Sequence, residues 1–140
     1  MATCSDRAWN NFVMRSKPAS FEIGSNKRTA AIASLFLSGA NNGGLNSFLT
    51  STYDLDAGDV LDALVALGAT KAAQQLDMVL QSLGTTLPSS SQEERWEVLD
   101  RHWSVDLDRY DALSEGADEE LKSVLSAHVA ENEELYSRLD

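Results

Sequence analysis

Apolar side chains recur at spacings of three and four along most of the chain, with polar residues between them. This period predicts amphipathic helices rather than strands. The pattern is clearest within residues 40–83, where an Asn-Asn-Gly-Gly turn precedes three predicted helices on short joints. The last two helices, near 56–67 and 70–83, are so close in sequence that they must pack antiparallel as an αα-hairpin.

The joints of this central stretch carry residues that begin and end helices. Asp54 or Asp56 can cap the first helix of the hairpin, because a short carboxylate accepts from the free N–H groups of a first turn. Gly68 and Gly84 suit the left-handed position that closes a helix. Thr70 is the candidate cap of the second helix of the hairpin.

The glycine turn is expected to be the organising joint of the chain. Gly43 or Gly44 should have a positive φ, or should allow two helices to approach so closely that a Cβ would be costly. A valine at either position is therefore predicted to destabilise the protein.

The flanking segments also predict helices. Ser5 can cap a first helix that ends before Pro18, since the residue before a proline disfavours helix. A second helix is predicted from near Lys27. After a polar linker, Ser91 and Glu94 fit a capping box.

Two further faces follow from the same period. The helix after Ser91 is predicted to bury one face with Trp96, Leu99 and Trp103. The two tryptophans of this face are seven residues apart. The last helix is predicted over 118–139. Its expected apolar stripe consists of Leu121, Val124, Leu125, His128, Val129, Leu135 and Leu139.

No segment shows strand alternation with hairpin turns, and prolines are few. With 140 residues the chain is long enough for one real core. We therefore predict an all-α fold, a single compact domain over residues 1–140 with about six to seven short helices and an acidic surface.

The charge is strongly and unevenly negative. The formal net charge is −11. Residues 1–50 carry five basic and two acidic side chains, whereas residues 51–140 carry six basic and twenty acidic ones. Such a surface repels nucleic acid and anionic membranes and attracts basic proteins.

Cysteine usage and the N-terminal sequence indicate a compartment. Cys4 is the single cysteine, so an internal disulfide is impossible and a reducing compartment is expected. No signal peptide is visible, and no apolar run is long enough to span a bilayer. We expect a cytoplasmic protein.

None of the candidate chemical motifs meets its requirements. Residues 54–65 start like a calcium loop but have Asp59 and Val65 where glycine and glutamate are needed. His102 and His128 have no partner at metal-ligand spacing. The glycine turn lacks the lysine of a phosphate loop, and Cys4 has no partner base. We expect no catalytic residues, no cofactor and no metal.

Three short motifs resemble the DMP-type DNA-mimic protein family. They are Asn42–Phe48, residues 63–69 followed by Ala72-Ala73, and Leu107-Asp108-Arg109-Tyr110. Leu45 departs from the pattern, since the family usually has an aromatic residue there. The resemblance covers roughly residues 30–136 and implies a helical protein whose carboxylates imitate the phosphates of DNA.

The acidic side chains are the candidate binding residues. Carboxylates on rigid helices can take positions similar to those of DNA phosphates, which DNA-binding proteins contact with arginine and lysine. The predicted partner-binding set comprises Asp54, Asp56, Asp59, Asp62, Glu93, Glu94, Glu97, Asp100, Asp106, Asp108, Asp111, Glu115, Asp118, Glu119 and Glu120. The densest part is 106–120.

These observations predict a non-catalytic protein that occupies and blocks the nucleic-acid-binding surface of a basic partner. The partner is either a DNA-binding regulator or a nuclease toxin, for which this chain would be the immunity protein. Direct binding to nucleic acid or membranes is not expected, and a homodimer is left open. The alternative is a neutral helical scaffold or oligomerisation domain whose acidic face only keeps it soluble.

Overall fold

A computed structural model describes residues 4–51, 54–85, 87 and 91–139. Within these residues the chain forms eight α-helices and two 3₁₀ segments, and no strand, so the prediction of an all-α fold is confirmed. The helices run over Asp6–Arg15 (α1), Asn26–Asn41 (α2), Gly44–Ser51 (α3), Ala57–Leu67 (α4), Thr70–Leu83 (α5), Gln92–His102 (α6), Glu115–Glu131 (α7) and Glu133–Ser137 (α8). The 3₁₀ segments are Pro18–Ser20 and Val105–Tyr110.

Helix α2 lies at the centre of the molecule. It packs against α1, α3, α4 and α7. Its residues 30–34 are buried and include three alanines, whose small side chains let neighbouring helices approach. Phe36 meets Phe48 of α3 edge-on, with 5.3 Å between ring centroids. The buried apolar residues form one hydrophobic core around this helix.

The helices α4 and α5 form the predicted hairpin. Gly68 ends α4 and Gly84 ends α5, and both have the left-handed conformation, with φ of 80° and 75°. Asp56 occupies the N-cap position of α4, but its carboxylate does not form the predicted capping hydrogen bond with the first turn. The prediction for Thr70 is wrong: Ala69 is the N-cap residue, and the Thr70 hydroxyl donates to the Gly68 carbonyl instead.

The glycine turn joins α2 to α3 through only two residues, Asn42 and Gly43. Gly43 has φ of 144° and Gly44 has φ of 88°, so both prefer glycine, as predicted. Gly44 also lies against the side chain of Asp111, where a Cβ would collide with the carboxylate. The turn therefore ties α3 to a residue that is far away in sequence.

The buried face of α6 differs from the predicted one. Ser91 caps the helix as expected, accepting from the Glu94 N–H at 3.1 Å. However, Trp96 is 55% exposed, and the inward residues are Arg95 and Leu99. The face is rotated because the Arg95 guanidinium turns inward and donates to the Leu55 carbonyl at 3.0 Å. Hydrophobic periodicity alone could not predict that an arginine takes the buried position.

The predicted last helix is divided in two. It begins earlier, at Glu115, and breaks at Asn132, whose side-chain amide donates to the His128 carbonyl at 2.9 Å. As a result Leu135 is 41% exposed, and Tyr136 is fully buried in its place. The break allows the short α8 to pack against α1.

Donors from α1 fix α8 in this position. Arg7 Nε donates to the Ser137 carbonyl and Asn11 Nδ2 to the Tyr136 carbonyl, both at 2.9 Å. Arg15 donates to the Leu139 carbonyl at 3.3 Å. These bonds satisfy carbonyls that the end of a helix leaves unpaired. Part of the positive charge of the N-terminal region is thus used within the molecule.

Candidate partner-binding surface

One face of α6 carries a row of exposed carboxylates. Glu93, Glu97 and Asp100 follow each other at spacings of four and three, so they lie on the same side of the helix. All three are exposed, and no described side chain forms an ion pair with them. With a rise of about 1.5 Å per residue, the row extends for roughly 10 Å.

The buried Arg95 on the opposite face orients this row. Its side chain is 2% exposed and reaches the backbone before α4. Burial lowers the pKa of Arg95, and the nearby carboxylates of Asp56 and Asp54 counteract this effect. The charges of Asp54 and Asp56 are therefore offset by a cation of the same molecule. This reduces the negative potential that these two carboxylates present at the surface.

The acidic surface continues past the end of α6. Trp103 Nε1 donates to Asp108 Oδ1 at 2.8 Å, which holds the following 3₁₀ segment near the end of the helix. Asp106 and Asp108 are exposed there, while Leu107 between them is buried in the core. We refer to Glu93, Glu97, Asp100, Asp106 and Asp108 as the α6 face.

Asp111 has a structural position. Its carboxylate accepts from the Asn46 N–H at 2.7 Å, and its backbone carbonyl accepts from the Leu45 N–H at 2.7 Å. Both donors belong to the first turn of α3, whose N–H groups have no partner within the helix. Asp111 thus caps a helix that lies 65 residues earlier in the chain.

Two carboxylates of α7 are also used internally. Asp118 forms an ion pair with Lys122 at 2.8 Å and accepts from Asn41 Nδ2 at 2.8 Å. The hydrogen bonds from Lys122 and Asn41 lower the pKa of Asp118. Glu120 accepts from the Lys71 N–H at 2.9 Å, in the first turn of α5. In the dense acidic segment, Glu115 and Glu119 remain exposed on the first turns of α7.

The remaining predicted residues lie elsewhere. Glu94 is exposed on α6, where its N–H bonds to the cap. Asp59 and Asp62 are exposed on α4 and line a cleft of about 510 Å³ together with Arg28. The structure therefore divides the fifteen predicted carboxylates into separate groups rather than one continuous cluster.

His128 and Cys4 are both partly buried, and burial shifts the pKa of each. Burial lowers the pKa of His128, whose Nε2 lies 2.8 Å from the Tyr136 hydroxyl. Burial also raises the pKa of Tyr136 to about 12, and raises that of the Cys4 thiol. A raised thiol pKa disfavours the reactive thiolate.

The described residues contain no group of three or more His, Cys, Asp or Glu side chains that could hold a metal ion. Among the helices in this part of the chain, none has the length and apolar character needed to cross a membrane.

Trp96 is the surface residue that the sequence pattern missed. The stripe of residues 96, 99 and 103 and the stripe of residues 95, 98 and 99 have similar helical spacing. Hydrophobicity favours the stripe 96, 99 and 103, because it contains two tryptophans. The sequence signal for the stripe 95, 98 and 99 was the group of acidic residues near Asp54, since a buried arginine requires nearby acceptors.

The family model described as DMP19-like protein matches residues 22–135. No curated protein matches significantly, and no solved structure does.

Proposed function

The chain belongs to the family of DMP19-like proteins. From its surface we propose that it is a non-catalytic binding protein that blocks a basic partner. The observation that carries the proposal is the row of Glu93, Glu97 and Asp100, exposed on a helix whose rotation is fixed by Arg95. Such a row needs no chemistry of its own. It acts through rigid spacing and complementary charge.

The charge density of the row supports imitation of a nucleic acid strand. Three carboxylates over roughly 10 Å of helix axis give about one charge per 5 Å. One DNA strand carries one charge per about 3.4 Å of axis. Asp106 and Asp108 extend the charged surface beyond the helix. A protein surface that binds phosphates with arginine and lysine can therefore bind the α6 face in a similar way.

The proposed partner is a DNA-binding regulator or a nuclease toxin, which this chain would inhibit as an immunity protein. Both present a basic surface to nucleic acid, so both fit the same face. In this role the protein acts in the cytoplasm, without a cofactor and without direct contact to nucleic acid or membranes.

A neutral scaffold is the second candidate, and one observation favours it. Val65 is 62% exposed beside a cleft of about 350 Å³ between α4 and α5. An apolar contact there could join two copies or another helical protein. Such binding would persist at high ionic strength, whereas binding through exposed carboxylates weakens as salt screens the charges.

A pair of matched variants tests the proposal. Glu93→Gln with Glu97→Gln removes two charges from the α6 face, and Glu22→Gln with Glu131→Gln removes two exposed charges elsewhere. Each protein is immobilised, exposed to lysate of the native host at low salt, and eluted with duplex DNA.

Wild type and the control pair are expected to retain basic proteins that duplex DNA elutes. The α6 pair should bind the same proteins roughly three- to tenfold more weakly, with a shallower salt dependence. Equal retention by both pairs, or retention that DNA does not compete with, would contradict the proposal.

A further inference from the structure

Trp96 is a large aromatic side chain with an unusual position in this molecule. It is 55% exposed, and it does not belong to the residues that pack against the core. Trp9 and Trp103, in contrast, are partly buried against the core. Tryptophan is enriched among the residues that dominate binding energy at protein interfaces.

The position of Trp96 within α6 places it beside the acidic row. It lies three residues after Glu93 and four residues before Asp100. Residues at these spacings are neighbours on the surface of a helix. The indole is therefore flanked by a carboxylate on each side along the helix axis.

We propose that Trp96 is the anchor of the α6 face and binds an arginine side chain of the basic partner. The inference rests on the proposed function and specifies its chemistry. A guanidinium stacks on the face of an indole through cation–π attraction, while its N–H groups donate to nearby carboxylates. Glu93 and Asp100 supply such acceptors next to the ring.

The same arrangement discriminates between arginine and lysine. Lysine carries a compact and strongly hydrated ammonium, which does not stack as a plane and gains less from an aromatic surface. A face made only of carboxylates would accept either cation. The partner segment is therefore expected to be arginine-bearing, as in proteins that bind nucleic acid phosphates in a bidentate way.

Two synthetic peptides of equal length and charge test this assignment. One carries arginine and the other lysine at the same positions, and their affinities are measured by calorimetry at low salt. The proteins are wild type, Trp96→Ala, Trp96→Phe, and Ile23→Ala as a control that removes an exposed apolar side chain elsewhere. Circular dichroism checks that each variant is folded.

Wild type and Ile23→Ala should bind the arginine peptide about two- to fivefold more tightly than the lysine peptide. Trp96→Ala should lose this preference, and Trp96→Phe should keep part of it. A preference that persists in Trp96→Ala, or is absent from wild type, would overturn the anchor.

The proposed function has a separate readout in the same experiment. Glu93→Gln with Glu97→Gln should bind both peptides more weakly. If that variant binds both as tightly as wild type, the carboxylate face itself is refuted, whatever Trp96 does.

Discussion

The carboxylates of α6 and those of residues 111–120 differ in what they contact. Glu93, Glu97 and Asp100 point to solvent, and no ion pair involving them occurs in the described structure. Asp111, Asp118 and Glu120 accept from the backbone or side chains of α3, α2 and α5. The second group therefore connects helices, and the first is available to a partner.

The difference shows that acid density in a sequence does not measure available charge. Residues 106–120 contain the densest run of carboxylates, yet four of them (Asp108, Asp111, Asp118 and Glu120) accept hydrogen bonds within the molecule. A helix N-terminus attracts carboxylates because its first N–H groups are unpaired and its dipole is positive there. A carboxylate that binds such a helix end is therefore less available to a partner.

Among the internally bound carboxylates, we expect the largest loss of stability when Asp111 is displaced from α3. Gly44→Ala adds left-handed strain of about 1–2 kcal/mol and pushes the Asp111 carboxylate away from Asn46, which costs about 1–2 kcal/mol more. We expect a loss of unfolding free energy of about 2–4 kcal/mol, measured by denaturant titration. Gly68→Ala is the control, because its φ is also left-handed but no atom obstructs a Cβ. Equal losses in both variants would show that the Asp111 contact contributes nothing.

The features that the sequence could predict are local ones. The caps at Ser5 and Ser91 and the left-handed glycines at 68 and 84 depend on neighbours within a few residues. The inward rotation of Arg95 and the cap from Asp111 depend on groups about 40 and 65 residues away. No spacing rule within one helix contains that information, so the buried face of α6 was predicted wrongly.

The same limit applies to the candidate surface. The sequence identified every carboxylate of the α6 face, because composition and charge are visible directly. It could not separate these residues from Asp118 and Glu120, whose partners come from other helices. It also placed Trp96 inside the core, so the aromatic part of the surface emerged only from the fold.

A direct comparison of the two groups uses one alanine in each. Asp111→Ala removes the acceptor for the first turn of α3 and should cost about 1–2 kcal/mol of unfolding free energy. Glu97→Ala removes an exposed side chain and should change it by less than about 0.5 kcal/mol. Thermal and denaturant unfolding of both variants measure the difference. Similar values would remove the distinction between bound and available carboxylates.

The pH dependence of stability sharpens the comparison further. The pKa of Asp118 is lowered in the folded protein, so its stabilisation is present above the unfolded value of about 3.8 and is lost as pH falls through the folded value. Asp118→Asn should therefore be less stable than wild type at neutral pH, by about 1 kcal/mol or less. The gap should shrink below pH 4, as measured by unfolding at a series of pH values. A gap that stays constant in acid would mean that the Asp118 charge contributes no stability.

The smallest expected effect concerns Glu97 and connects the comparison to function. Glu97 has a like charge four residues before it at Glu93 and three after it at Asp100, while Arg101 follows at a favourable spacing of four. These contributions oppose each other, so Glu97→Gln should change unfolding free energy by less than about 0.5 kcal/mol. The affinity of the Glu97→Gln variant for a basic protein should nevertheless fall, chiefly through slower association at low salt. Measuring both quantities on one variant separates a binding residue from a structural one. A large stability change with unaltered association would assign Glu97 to the same class as Asp111, and the α6 face would lose its central charge.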